Sequence, residues 1–308
     1  MVHLTCISLK TGTEITIPER TLLCLGNFDG VHVAHRRLLR SALEKREELC
    51  GEASVGVFCF RELTAKFLDQ NFEGQICSLE DRMARFRDCG MEFVILADFP
   101  AICNLSAEQY LSDVLIGQCN AVAVACGFNH RFGKGGQGTV ALMEQYFEGR
   151  VYVQEPVSLD GERVSASRIR QLLYAGHAEE AATLLTLPYS ITAPVLHGKN
   201  LGEKMGVPTA NQCFPHGYVI PKRGVYVSVC EVDGVRYRGV SNVGSRPTID
   251  KDGAVNCETY LIGYSGDLYG RVLTVHFLKY LREEKKFENI DLLRAQIAED
   301  IRAAERFE

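Results

Sequence analysis

His32 and His35 stand three residues apart in LCLGNFDGVHVAHRRLL, directly after an apolar, strand-like run that stops at Gly26. The segment after them is basic and leucine-rich, with helical spacing. Gly26 and Gly30 let the backbone turn tightly and approach a ligand. A helix starting near Ala34 presents free N–H groups and the positive end of its dipole. That is a setting for a phosphate, and imidazoles placed there add donors to a phosphate as it reacts. A turn carrying two surface histidines is the alternative reading of the same spacing.

Two later stretches point to the same chemistry. GFNHRFGKGGQGT, residues 127–139, comes after another strand-like run and is rich in Gly, Arg and Lys. Its alternative is a solvated hairpin loop. VSASRIRQLL puts Ser165, Ser167, Arg168 and Arg170 at a helix start, where hydroxyls and guanidinium groups suit a pyrophosphate. Plain N-capping by Ser167 is the alternative.

A second group lies toward the C-terminus. GKNLGEKMGVPTANQ places Gly198, Gly202 and Gly206 at even spacing with Lys199 and Lys204 between them. It lacks the G-K-[ST] ending of a P-loop. A glycine-rich backbone with lysines can still cradle phosphates. Thr209 and Asn211 share one side if the segment is extended, and their hard oxygens suit Mg²⁺. A flexible loop between strands is the alternative. Glu258 falls in a strand-like run of uncharged residues. On the inner face of a small barrel it needs a role or a partner; otherwise it is an outward-facing carboxylate. LREEKKFENIDLL offers Arg282, Glu283 and Lys285, which by themselves read as a solvated charged segment.

The elements that must position these residues fall into two patterns. TLLCLG, SVGVFCF, EFVILADF, AVAVACGF and RVYVQEP read as short apolar strands. Helical segments alternate with them: HRRLLRSALEKREEL, SLEDRMARFRDCG with a capping-box-like Ser78 and Asp81, and SAEQYLSDVLIG with Ser106 and Gln109. Such alternation predicts a parallel sheet wrapped by helices, with ligands at the carboxyl ends of its strands. SASRIRQLLYAGHAEEAATLLTLPYS reads as two helices and a stop at Pro188. From Ile191 strands dominate, with VDG and YSGD as hairpin turns and one closing helix, DLLRAQIAEDIRAAERF. The expected fold is α/β + β: a parallel-sheet domain over 1–186, then a small antiparallel barrel with a C-terminal helix over 187–308.

Composition bounds the partners. The 308 residues suit two domains, and 46% hydrophobic with 24% charged residues is the balance of a soluble globular protein. A net charge of −5 argues against nucleic acid or an anionic membrane as a partner of the whole molecule, while leaving room for a local basic pocket. MVHLTCISLKTGTEITIPER lacks the layout of a signal peptide, and no apolar run has the length of a membrane span. The 12 cysteines are scattered without a C-x-x-C pair and read as reduced, mostly buried, small apolar residues. The expectation is a cytoplasmic protein, monomeric or weakly homo-oligomeric.

These motifs together carry a resemblance. GNFDGVHVAH resembles the G-x-F-D-x-x-H-x-G-H signature of the nucleotidyltransferase superfamily, and VSASRIR its late I-S-S-T-x-I-R motif. GFNHRFGKGGQG resembles the flavin-side loop of bacterial FAD synthetases. The run from G-K-x-L-G through PTAN, GVYVSVCEVDGVRYRGVSNVGSRPT, CETYL and DLYGRVLTVHFLKYLREEKKF resembles riboflavin kinase. From end to end the chain resembles the bifunctional prokaryotic riboflavin kinase/FAD synthetase (FMN adenylyltransferase) family.

The resemblance implies a Rossmann-like nucleotidyltransferase domain followed by a riboflavin kinase barrel. It implies phosphorylation of riboflavin by ATP in the second and adenylylation of FMN by a further ATP, releasing pyrophosphate, in the first, both with Mg²⁺. It assigns Glu258 as catalytic base, Thr209 and Asn211 to the metal, and Gly198, Lys199, Gly202, Lys204 and Gly206 to the nucleotide. Arg282 falls near the flavin. His32 and His35 become catalytic at the ATP phosphates, beside Gly26, Asn27, Phe28, Asp29 and Gly30. Asn129 falls to the flavin phosphate or the nucleotide, and Ser165, Ser167, Arg168 and Arg170 to the pyrophosphate. Two positions depart from the pattern: Ala34 replaces the usual Gly between the histidines, and Ala166 replaces the second Ser of the late motif. They define one alternative, a riboflavin kinase whose first domain is impaired or only binds nucleotide. A second alternative is a flavin or nucleotide sensor without turnover.

Overall fold

Near-continuous apolar runs build the first sheet, as expected for strands covered on both faces. Its strands are β1 (Thr5–Leu9), β2 (Thr21–Leu25), β3 (Ser54–Phe60), β4 (Phe93–Ala97), β5 (Ala121–Gly127) and β6 (Val151–Gln154). All pairs are parallel, in the order β1-β4-β3-β2-β5-β6. The computed structural model describes residues 4–9, 17–49, 51–198, 202, 206–245 and 255–307. By packing, the chain divides into two units, 1–72 with 78–166 and 73–77 with 167–308.

The strand order reverses between β2 and β5, so the crevice at their carboxyl ends is the switch point at which such sheets bind ligands. Leu22, Cys24, Val55 and Val57 pack on one face with Leu38, Leu39 and Ala42 of α1 (Val33–Lys45) and Phe86 of α2 (Leu79–Asp88). Leu23, Leu25, Phe58 and Ile95 pack on the other with Tyr110, Leu111 and Met143, the last from α3 (Val140–Phe147). Both expected capping boxes form: Asp81 N donates to Ser78 Oγ at 2.8 Å, and Gln109 N to Ser106 Oγ at 3.1 Å. The second helix departs from the expected regular form, running as a π-helix over Tyr110–Gln118. A small hairpin, β7 (Ser158–Leu159) with β8 (Glu162–Arg163), completes this unit's strands.

The second unit holds an antiparallel sheet of β9 (Tyr189–Pro194), β10 (Ala210–Cys213), β11 (Gly224–Val232), β12 (Val235–Ser245), β13 (Val255–Leu261) and β14 (Val272–Arg282). The order β10-β13-β12-β11-β14-β9 nearly closes on itself. Leu196 N donates to Asn211 O at 2.7 Å, and Gln212 Nε2 donates to Ala193 O and Leu273 O, each at 2.7 Å. VDG is the expected tight turn: Asp233 and Gly234 both have positive φ, 53° and 77°, as a two-residue I′ hairpin requires. YSGD is not a hairpin. It lies in the connection from β13 to β14, which are not neighbours, because β14 fills the free edge of β11 instead.

Helix α4 (Ala166–Ala175), from Ser167 on, and α5 (Ala178–Leu185) belong to the second unit by packing, and Lys222 N donates to Leu173 O at 2.9 Å. So does the short segment 73–77: Gln75 N donates to Gly217 O at 2.7 Å, and Val219 N to Gln75 O at 3.0 Å. The last helix, α6 (Ile290–Arg306), is held to β14 by Arg282, whose Nε and Nη2 reach Asp300 Oδ1 and Oδ2 at 3.0 and 2.6 Å. The pair is largely out of solvent, with side chains 16% and 6% exposed. Asp300→Ala leaves the guanidinium without its partner and is expected to destabilise the second unit by about 3–5 kcal/mol in denaturant titration.

Among the described residues the cysteines are free, and seven are buried: Cys24, Cys59, Cys77, Cys119, Cys126, Cys230 and Cys257. Burial pushes the thiols of Cys59, Cys119, Cys126, Cys230 and Cys257 up to about 12, so they stay protonated and unreactive. No helix among the described residues is long and apolar enough to cross a membrane.

Candidate active sites

The turn after β2 is strained. Phe28, Gly30 and Val31 all have positive φ, at 53°, 74° and 41°. Glycine takes this conformation freely, but a β-branched valine does so only when its surroundings hold it there. Two buried arginines of α2 do the holding. Arg82 Nη1 donates to Asn27 O at 3.1 Å and Phe60 O at 3.0 Å, and Arg85 Nη1 to Gly30 O at 2.5 Å. Asn27 is fixed again through its side chain, Nδ2 donating to Thr64 Oγ1 at 2.9 Å. Sequence reasoning passed over both arginines. Their signal was present as two cations three apart beside Phe86, on the face a capped helix turns inward.

His32 is the N-cap of α1, its Nδ1 accepting from His35 N at 3.4 Å. The two imidazoles stack at 3.7 Å with 12° between their planes. Burial pushes His32 down to about 4, and burial with the neighbouring His32 ring holds His35 well below the usual histidine value. Both rings are therefore neutral at pH 7 and offer N–H donors rather than charge. His35 Nδ1 is buried without a hydrogen-bond partner. Ala34 is the second residue of α1, in right-handed helical backbone that needs no glycine.

A cavity opens at the carboxyl ends of β2, β5 and β6. It brings together Asn27, Phe28, Asp29, His32, Ala34 and His35 with Asn129 from the glycine-rich loop and Ser165 and Ala166 from the late motif. Gly30 shapes the turn without lining this cavity, and Gly26 lines a second, aromatic cavity beside it. The second cavity is walled by Phe60, Phe67, Phe99, Tyr110 and Phe132. Phe60 and Phe67 pack on Phe99 at 5.5 and 5.6 Å. Such walls suit a flat ring system. These aromatics come from separate elements, and no local spacing in the sequence joins them. Asn27, Asn129 and His130 line both cavities. Ser167, Arg168 and Arg170 group by packing with the second unit, where Arg170 is buried and its Nε donates to Gly74 O at 2.7 Å.

In the second unit a chain of side chains crosses three strand positions. Asn211 Nδ2 reaches Thr209 Oγ1 at 3.4 Å and Thr209 O at 3.1 Å. Asn256 Nδ2 donates to Asn211 Oδ1 at 3.3 Å and to Glu258 Oε1 at 3.2 Å. Asn211 stands directly opposite Glu258 in the β10–β13 register. Thr209 and Asn211 thus share a side, as expected. Glu258 resolves the other way from a buried barrel acid. Cys257 and Thr259 are buried, while Glu258 alternates to the outer face and is exposed. Asn256, buried and two residues before Glu258, was not anticipated; its signal was the i, i+2 pairing of two polar residues in one strand.

Glu258 opens into a cavity with Asn242, Tyr260, Arg282, Phe287 and Thr209. A neighbouring cavity is lined by Thr209, Asn211, Leu268 and the stacked pair His197 and Tyr269, 3.9 Å apart. Thr209 and Gly202 line both. Gly198 packs so closely on Asn211 that a Cβ there would sit 2.6 Å from Nδ2. Gly206 has φ +77° and turns the chain into the PTAN segment. Lys199 and Lys204 lie outside the described residues. Arg282 lines the Glu258 cavity while its Nε and Nη2 are engaged by Asp300.

Comparison with known proteins covers both units. The family model described as FAD synthetase matches residues 14–168, and the one described as riboflavin kinase matches 185–308. The bifunctional riboflavin kinase/FMN adenylyltransferase of Bacillus subtilis is 31% identical over 295 residues, covering 94% of this chain and 92% of that one. The protein of the same name from Haemophilus influenzae is 32% identical, covering 92% and 93%. A crystal structure described as a macrolide-efflux protein from Streptococcus pneumoniae is 27% identical and matches with a TM-score of 0.90 over 99% of this chain and all of that one (100%). With both family models matched in order and full-length relatives above 30% identity, the chain belongs to the bifunctional riboflavin kinase/FMN adenylyltransferase family.

Proposed function

We propose that the second unit phosphorylates riboflavin with ATP to give FMN and ADP, and that the first joins FMN to the adenylyl group of a second ATP to give FAD and pyrophosphate. One observation carries this reading: each unit has two adjoining cavities with lining residues in common, Asn27, Asn129 and His130 in the first and Gly202 and Thr209 in the second, as a transfer between two bound substrates requires. In the kinase step a ribityl hydroxyl is the nucleophile. Glu258 takes its proton as the oxygen bonds to the γ-phosphorus and ADP leaves. Asn256 orients the carboxylate and ties it to Asn211. The aromatic pair His197 and Tyr269 suits the adenine, and the glycines at 198, 202 and 206 suit its phosphates.

In the adenylyl step the nucleophile is the FMN phosphate, already anionic, so no base is needed. Positioning and stabilisation of charge on the α-phosphate remain, and the neutral N–H donors of His32 and His35 at the start of α1 supply them. Ser165, which lines the phosphate cavity, is assigned to the departing pyrophosphate, and the aromatic cavity to the flavin ring.

Mg²⁺ fits the donors present. Thr209 Oγ1 and Asn211 Oδ1 are hard oxygens on one side, next to Glu258. No group of three or more His, Cys, Asp or Glu among the described residues forms an all-protein cage, which suits an ion carried on nucleotide phosphates. Mg²⁺ held there would neutralise phosphate charge. We place the functional division at 186/187, close to where the riboflavin kinase match begins at 185, although packing divides the chain at 166/167. We propose a cytoplasmic enzyme, monomeric or weakly homo-oligomeric; the free thiols of the described cysteines fit the reducing compartment.

The test is a time course with riboflavin, ATP and Mg²⁺, separating the flavins. FMN is expected to rise and then give way to FAD. FMN accumulating alone under excess ATP would mean that the first unit does not turn over.

A further inference from the structure

His130 has no role in the mechanism above, yet its placement calls for one. It lines both the phosphate cavity and the aromatic cavity, a property it shares with Asn27 and Asn129. Its Nε2 is buried without a hydrogen-bond partner. A buried polar atom left in that state is costly, and one that lines a cavity calls for a use.

The side chain is not loosely placed. His130 N donates to Gly127 O at 2.9 Å at the end of β5, and the ring stacks on Phe132 at 6.0 Å with 26° between planes. Phe132 is itself buried against Tyr110 at 5.3 Å. The loop beyond is pinned as well: Lys134 N donates to Leu105 O at 2.8 Å, and a Cβ on Gly133 would meet Ala107 at 2.7 Å. An imidazole held this way is preorganised, with little ordering left to do when a ligand arrives.

We infer that His130 contacts the reacting phosphates during FMN adenylylation, its Nε2–H donating to the oxygens where the FMN phosphate meets the α-phosphate of ATP. The inference rests on the proposed adenylyl transfer between the two cavities. A product that spans both must carry its phosphates past the residues common to them, and His130 is one of three. In the step, an FMN phosphate oxygen bonds to the α-phosphorus, and the bond from that phosphorus to the bridging oxygen breaks. The electron pair leaves with pyrophosphate. No proton changes hands, so a neutral donor is sufficient. Burial pushes the ring down to about 4, which keeps it in that neutral form.

The experiment compares His130→Phe and His130→Gln with the unaltered full-length enzyme. FAD formation from FMN and ATP is followed at varied concentrations of each, alongside riboflavin phosphorylation and the melting temperature. His130→Phe keeps the shape and the packing on Phe132. It is expected to lower kcat for FAD formation by about 10²-fold, the scale of a lost transition-state donor. The KM values for FMN and ATP should stay within about threefold, as for a contact realised mainly in the transition state. The melting temperature should hold or rise, and riboflavin phosphorylation should be unchanged. His130→Gln, which retains an N–H donor, should recover part of the rate. A His130→Phe enzyme that makes FAD within twofold of the unaltered rate overturns the inference. So does a loss that tracks a fall in melting temperature and is not relieved in His130→Gln. Failure of the unaltered enzyme to make any FAD from FMN overturns the adenylylation reading and the inference with it.

Discussion

Glu258→Gln is expected to lower riboflavin phosphorylation by about 10²–10⁴-fold, the range of a lost general base. The conversion of supplied FMN to FAD should be untouched. The substitution keeps the shape of the side chain, and its amide oxygen can still accept from Asn256 Nδ2, as Glu258 Oε1 does at 3.2 Å. The loss is one of basicity. Glu258 is solvent-exposed on the outer face of β13, so the folded state should barely register the change. Two time courses check this, one started from riboflavin and one from FMN. Equal loss in both, with the melting temperature unchanged, would remove the assignment of the two reactions to separate units.

His35→Ala should give the converse pattern: FAD formation down about 10²–10³-fold, the cost of losing a preorganised donor, and phosphorylation of riboflavin intact. The stack at 3.7 Å on His32 disappears, while His32 keeps its N-cap position through the backbone N–H of residue 35. The pH response comes from the same burial. An unfolded histidine takes up a proton near pH 6.5, and folded His32 refuses it until about 4. Between those values the unfolded chain binds more protons, so the stability supplied by the neutral ring is complete above pH 6.5 and lost as pH falls toward 4. Thermal melting of the full enzyme across that window should show the decline.

Much of this architecture is legible in the residues. The apolar runs from TLLCLG to RVYVQEP became β2 to β6 because strands buried on both faces tolerate no alternation. The histidine turn and Asn129 met in one cavity because each lies just past a strand end in the same crevice, and Ser165 joins them from beyond the small hairpin. The features that stayed hidden depend on long-range packing. β1 is a five-residue edge strand, and ANQC of β10 is half polar, with Gln212 and Asn211 spending their amides on barrel closure and on the Glu258 chain. YSGD has turn composition, but strand order rather than turn chemistry decides which edge the chain joins after β13. The segment LREEKKF reads as solvated charge, yet Arg282 is largely buried by a carboxylate 18 residues away. No periodicity links Phe60, Phe67, Phe99 and Tyr110, which converge only in the folded sheet.

The segment 73–77 gives the molecule an unusual connectivity. The chain passes into the second unit at 73, leaves it at 77 and returns at 167, so three covalent crossings join units that a simple tandem arrangement would link by one. A single protease cut at 166/167 would therefore release no free halves. The N-terminal fragment would still carry Gln75, bonded to Gly217 and Val219, and Gly74, bonded to Arg170. The same insertion means that a gene split at 166/167 cannot yield an intact second unit. Separating these two activities, in the laboratory or in evolution, requires replacing five residues as well as cutting a linker.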